Sequence, residues 1–148
     1  MMSGADITDL VPFVHVADIE RSIAFYERLG FEVRSTYEAR GRAVWAALEN
    51  ATARLMLAQS TAPIAPDAQA VLFYLYTRDL AALRDRLVAA GVPAGAIKSG
   101  APGPEREMRV DDPDGYCLMI AEIDGQRVRF MRGEAERRLQ RRRAQEGL

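Results

Sequence analysis

The chain has 148 residues, with 20 basic and 21 acidic side chains, a formal net charge of −1 and an apolar share of 49%, which suits one soluble globular domain or two small halves sharing a core. Its single cysteine, Cys117, excludes an internal disulfide and a multi-cysteine zinc site, and its single histidine, His15, excludes a two-histidine metal site within one subunit. No apolar run reaches the length of a membrane span and no charged-then-apolar leader precedes a cleavage site, so the expected location is cytoplasmic, with no membrane partner.

In chain order, residues 1–10 are polar and expected to fray. Residues 11–16 read as a strand. Asp18 suits an N-cap, because its carboxylate can accept a free N–H of the first helical turn. Ile19, Ile23 and Tyr26 then share a helical face, and Gly30 stops the helix. Strands are expected at 31–38, 43–48 and 53–58, separated by turns at Arg40-Gly41 and 49–52. The first module, 11–58, is thus β-α-β-β-β. Residues 59–69, rich in Ala, Pro and polar side chains, read as a linker. The second module, 70–122, opens with a strand at 70–77. Asp79 caps a helix with an apolar stripe of Leu80, Leu83, Leu87 and Ala90, and Gly91 stops it. A short strand at 96–99, a Pro/Gly loop at 100–104 and a strand at 107–111 follow. Asp111-Asp112-Pro113-Asp114-Gly115 is a sharp turn, since Pro113 fixes one dihedral and Gly115 permits a positive one. The final strand is 117–122. Residues 123–148 form a basic, helical tail: from Arg127 onward the balance is +5, against −6 for the rest. The tail has almost no aromatic residues to stack on bases, so nucleic acid is not the expected partner.

The two modules echo one another. Leu55-Met56-Leu57-Ala58-Gln59 aligns with Leu118-Met119-Ile120-Ala121-Glu122 at an offset of 63, a register that extends back to Trp45 over Met108. Asp18 lies over Asp79 and Gly30 over Gly91 at an offset of 61. Matching strands, helix starts and helix stops in the same order imply an internal duplication.

These residues carry a family resemblance. Val16-Ala17-Asp18-Ile19-Glu20-Arg21-Ser22-Ile23-Ala24-Phe25-Tyr26 with Leu29-Gly30-Phe31, and Asp112-Pro113-Asp114-Gly115-Tyr116, resemble the vicinal oxygen chelate superfamily of glyoxalases, bleomycin resistance proteins and extradiol dioxygenases. The resemblance spans about Val11 to Glu122. It implies an α+β fold of two tandem βαβββ modules, with mixed sheets curled around a cavity, and a homodimer.

The resemblance also implies where metal-using members place their ligands. Those positions fall here on Val11, Leu72, Met56 and Met119. None offers carboxylate oxygen or imidazole nitrogen, so neither a metal nor another cofactor is expected.

Strand alternation places Phe13 and His15, Arg54 and Met56, Tyr74 and Tyr76, and Cys117 and Met119 on the former ligand face, with Trp45 on a strand beside it. These nine are the candidate ligand-binding residues; no catalytic residue is assigned. Each has a plainer reading: His15 as a bonded rim histidine, the tyrosines and Trp45 as packing residues, Cys117 as an inert buried thiol, Arg54 as a partner in a salt bridge. The face is apolar with a few polar tips, the composition of a small-molecule pocket. The expected function is metal-free sequestration of an aromatic or amphipathic compound, as in antibiotic resistance. The alternative is a lyase, isomerase or dioxygenase-type enzyme with non-standard active-site residues.

Overall fold

The computed structural model describes Ile7 and residues 9–99, 106–123 and 136–147. The elements run β1 (Phe13–Val16), α1 (Ile19–Arg28), β2 (Glu32–Ala39), β3 (Arg42–Asn50), β4 (Ala53–Gln59), a 3₁₀ turn (Pro66–Ala68), β5 (Leu72–Thr77), α2 (Leu80–Ala89), β6 (Glu107–Asp111) and β7 (Cys117–Glu122). A third helix, α3, spans 136–145, within the expected basic tail. The expected loop at 100–104, much of the N-terminal stretch 1–10 and tail residues 124–135 lie outside the described residues.

Two mixed sheets form, in the orders β1-β4-β3-β2 and β5-β7-β6. In each, the first strand pairs in parallel with the last strand of its module. The duplication is literal at this level. Phe13 sits opposite Met56 in the first sheet, and Tyr74 opposite Met119 in the second. Helix starts repeat too. Asp18 accepts the Arg21 N–H at 3.2 Å, and Asp79 accepts the Ala82 N–H at 3.0 Å. Gln59 Oε1 accepts the Ile19 N–H at 3.0 Å, and its repeat equivalent Glu122 accepts the Leu80 N–H at 3.2 Å. Each helix therefore has two of its free N–H groups satisfied, one by its own cap and one by the end of its module's last strand. Both helices stop before a glycine of positive φ, Gly30 at 99° and Gly91 at 78°.

The helix-side faces of the two sheets supply the core. Val14, Val16, Leu48, Leu55 and Leu57 are buried with Ile19, Phe25, Tyr26 and Leu29 from α1 and its cap; Met108, Val110, Leu118 and Ile120 are buried with Leu80, Leu83 and Leu87 from α2.

Three expectations need correction. Ala90 is exposed; it is the C-cap residue, and Val92, 3% exposed, takes the next core position. No strand forms at 96–99. There the chain meets β6 only through Gly95 N–H to Arg109 O and a reciprocal pair of bonds between Lys98 and Glu107. Residues 95–98 span one residue more than 107–109 opposite, so the pairing is bulged and no ladder develops. Finally, Met108 is not the equivalent of Trp45. Trp45 pairs with Ala58, whereas Ala121, the repeat of Ala58, pairs with Glu107. The turn 112–116 is one residue longer than its counterpart 50–53, which shifts β6 by one place and turns Met108 into the core.

Candidate functional site

Opposite the helices, each sheet presents an open face. On the first, the rows read His15, Ala58, Trp45, Tyr37 and then Phe13, Met56, Ala47, Ser35. On the second they read Tyr76, Ala121, Glu107; Tyr74, Met119, Arg109; and Leu72, Cys117, Asp111. The alternation is visible in burial. Phe13 is 50% exposed, Tyr74 45% and Tyr76 42%, while Val14 and Val16 beside Phe13 and His15 are buried and Phe73 and Leu75 beside the tyrosines are half-buried. Met56, Met119, Cys117 and Trp45 are half-buried on these faces. Each sheet thus carries partly exposed aromatic and thioether side chains on its open face, and on the second sheet a charged row of Glu107, Arg109 and Asp111 borders them.

The rings are organised within each sheet. Phe13 and His15 meet edge to face with centroids 5.5 Å apart, and Tyr74 and Tyr76 lie tilted at 5.8 Å. The Tyr74 hydroxyl donates a hydrogen bond to Glu107. That bond pushes the Tyr74 phenol up to about 12, because the hydroxyl must keep its proton to donate. Glu107 is not among the nine candidates, and as a residue beside the Pro/Gly loop it reads from the sequence as solvated; its one-place shift in register, set by the longer turn, brings it onto this face.

The remaining candidates divide. Arg54 reaches Asp9 at 2.6 Å and Glu49 at 3.9 Å, so its guanidinium is engaged within the protein. The His15 backbone oxygen accepts from the Tyr116 hydroxyl at 3.1 Å, which fixes the end of β1. The Cys117 thiol is pushed up by burial and by Asp111, against an opposing pull from Arg109. A raised thiol is a poor nucleophile and a poor metal ligand at neutral pH.

The open faces can be tested against a divalent metal. Met56 and Met119 lie at the centres of the two sheets, directly opposite Phe13 and Tyr74, and Leu72 lies beside Cys117. With Val11, these positions supply only hydrocarbon and thioether, which do not fit a hard or borderline cation. Among the described residues no group of three His, Cys, Asp or Glu side chains could hold a metal ion.

The Asp-Pro-Asp-Gly turn has a role the sequence did not disclose. Asp114, 1% exposed, accepts the Ala17 N–H at 3.0 Å and the Ser22 hydroxyl at 3.3 Å. Asp112, 5% exposed, accepts the Tyr26 hydroxyl, and through its other oxygen the N–H groups of Asp114 and Tyr116. The turn of the second module is thus bonded to the strand–helix junction of the first. This anchors β1, and with it Phe13 and His15, relative to β7, which carries Met119.

A two-module α+β fold with such faces defines a class. Residues 10–120 match the family model for the glyoxalase/bleomycin resistance protein/dioxygenase superfamily, and the chain belongs to that superfamily. Among solved structures it is similar to a bleomycin-binding protein complexed with bleomycin, at 22% identity over 80% of this chain and 100% of that one, with a TM-score of 0.65. It is also similar to the bleomycin resistance determinant encoded on transposon Tn5, at 21% identity over 80% and 99%, with a TM-score of 0.66. A third similar structure is TnmS3, an antibiotic-binding protein from a Streptomyces species, at 22% identity over 82% and 100%, with a TM-score of 0.64. A search of curated protein sequences finds no match. Among the described residues no helix is long and apolar enough to cross a membrane.

Proposed function

We propose that this protein binds a small aromatic or amphipathic molecule without a metal, on the open faces of its two sheets, and that a second copy of the chain helps to enclose it. The observation that carries this reading is the chemistry at the sheet centres. Met56 and Met119, flanked by Phe13, Tyr74 and Tyr76, make half-exposed apolar platforms where metal-using relatives would need hard ligands. Aromatic faces and polarizable thioethers suit a flat organic molecule, and desolvating them supplies the affinity. The similar structures named for bleomycin and antibiotic binding support the same reading. Sequestration, as in antibiotic resistance within the cytoplasm, is the role such binding would serve.

The test is a thermal-shift screen of aromatic natural products, followed by titration of the best hit against Tyr74→Ala and Met119→Glu. Removing the tyrosine ring should weaken binding roughly ten- to a hundredfold, equivalent to about 1–3 kcal/mol. A glutamate at 119 places a charge in the apolar platform and should weaken a neutral ligand at least as much. Unchanged affinity in two folded variants would place the ligand elsewhere.

A further inference from the structure

The first sheet has a second concavity, on the side away from Trp45. Val44 shares its side of β3 with Ala46 and Leu48, which are buried beneath α1. Beside them a cleft of about 710 Å³ opens between the start of α1 and the β2–β3 turn. That volume is in the range of small-molecule sites. None of the cleft's lining residues is among the open-face residues named above.

The charges around this cleft are opposed and unmatched. Arg40 and Arg42, at the hairpin turn, line it together with the N-cap Asp18 and with Glu20 in the first turn of α1. Among the described residues none of the three belongs to an ion pair. Opposite charges that line one cleft without closing on each other leave room for a molecule carrying both signs. Ala43 and Val44 supply an apolar floor between them. Arg40 is held with φ at 53°, a backbone state that a glycine or asparagine adopts more readily. The helix end is not the attraction. Its Ile19 and Arg21 N–H groups are already taken by Gln59 and Asp18.

We propose that this cleft binds a small zwitterion, an amino acid or short peptide with free termini, its carboxylate on Arg40 and Arg42 and its ammonium on Glu20. A simple anion would face Glu20 and Asp18, and a simple cation would face two guanidinium groups. A zwitterion satisfies both signs, and the guanidinium fork matches a carboxylate geometrically. A small aliphatic side chain lies over Ala43 and Val44.

The experiment is calorimetric titration of the full chain with the dipeptide Ala-Leu, with its N-acetyl form and with its C-terminal amide. The free dipeptide should bind, and each blocked form should bind at least about tenfold more weakly, the loss of one charged contact. The double variant Arg40→Ala/Arg42→Ala should stop distinguishing the amide from the free acid. Glu20→Gln should stop distinguishing the acetylated form. All three side chains are exposed, so melting temperatures should stay near the parent's. Tyr74→Ala should bind the dipeptide as the parent does. The proposal is overturned if the free dipeptide gives no heat, if blocked and free forms bind alike, if the charge variants keep the parent's preferences, or if Tyr74→Ala abolishes binding and so places the peptide on the open face.

Discussion

Tyr26 donates its phenolic hydrogen to Asp112 across 2.7 Å, although 86 positions separate the two residues. Both are almost fully buried, and this bond sits among the Asp114 contacts to Ala17 and Ser22. Module one thereby holds the turn of module two through buried, charge-assisted bonds. Such bonds are stronger than neutral ones and expensive to leave half made.

Burial first, then the charge of Asp112, pushes the Tyr26 phenol far above its usual 10. The sign of the resulting pH dependence follows directly. Above pH 10 the unfolded chain ionises this tyrosine and the folded chain does not, so the stability tied to the proton is present below pH 10 and lost as pH rises above it. Tyr26→Phe should lower stability at pH 7 by about 1–3 kcal/mol, because Asp112 loses a donor. It should also flatten the decline above pH 10, leaving the smaller contributions of Tyr74 and Tyr116. Urea denaturation at pH 7 and at several alkaline values measures both effects. An alkaline slope identical in parent and variant would show that Tyr26 ionises equally in both states.

The same turn meets the linker at Gly115. Its φ is 82°, and a Cβ there would lie 2.3 Å from the Pro66 carbonyl oxygen and 2.7 Å from Pro66 Cα. Gly115→Ala therefore adds a backbone clash to an unfavourable dihedral and should cost about 2–4 kcal/mol. Gly41, with φ at 75° and nothing within 4 Å of its would-be Cβ, isolates the dihedral effect. Gly41→Ala should cost only about 1 kcal/mol. Equal denaturant midpoints for the two variants would mean that the linker yields freely at Pro66.

The duplication was legible in the sequence because both of its markers are local. Asp18 and Asp79 cap helices through their own carboxylates, and Gly30 and Gly91 take positive φ whatever surrounds them. Strand alternation likewise put Phe13 beside Met56 on the open face of one sheet and Tyr74 beside Met119 on that of the other. The register of β6 was not legible, since it depends on one extra residue in a turn, and that residue decides whether Met108 or Glu107 reaches the open face. Nor was the burial of Asp112 and Asp114. Adjacent aspartates in a turn look solvent-facing until the partners Tyr26, Ser22 and Ala17 arrive from far along the chain.

Cys117 offers a probe of the open face. Its thiol is pushed above its usual 9 by burial, with Asp111 adding and Arg109 opposing. Alkylation at pH 8 should be slower in the folded protein than in urea, since the thiolate is the reacting form. Asp111→Asn should speed the reaction and Arg109→Ala should slow it further. Rates that do not move in these opposite directions would mean that access, and not charge, limits the reaction.

Metal is the sharpest test of the functional reading. Val11, Leu72, Met56 and Met119 stand at the positions to which the family resemblance assigns the ligands of metal-using members, and a thioether or an alkyl group binds Zn, Mn, Ni or ferrous iron poorly. A metal held only by the native fold stabilises that fold in proportion to the logarithm of its free concentration over its dissociation constant, so chelation would lower the melting temperature. Purified protein should carry no stoichiometric metal, and chelator should leave its melting temperature unchanged. Added Zn or Mn at a hundred micromolar should also produce no stabilisation, whereas a site of about 1 μM affinity would add about 2.7 kcal/mol. A saturable rise in melting temperature with one of these ions would reveal a ligand set outside the four positions and would turn the reading toward an enzyme.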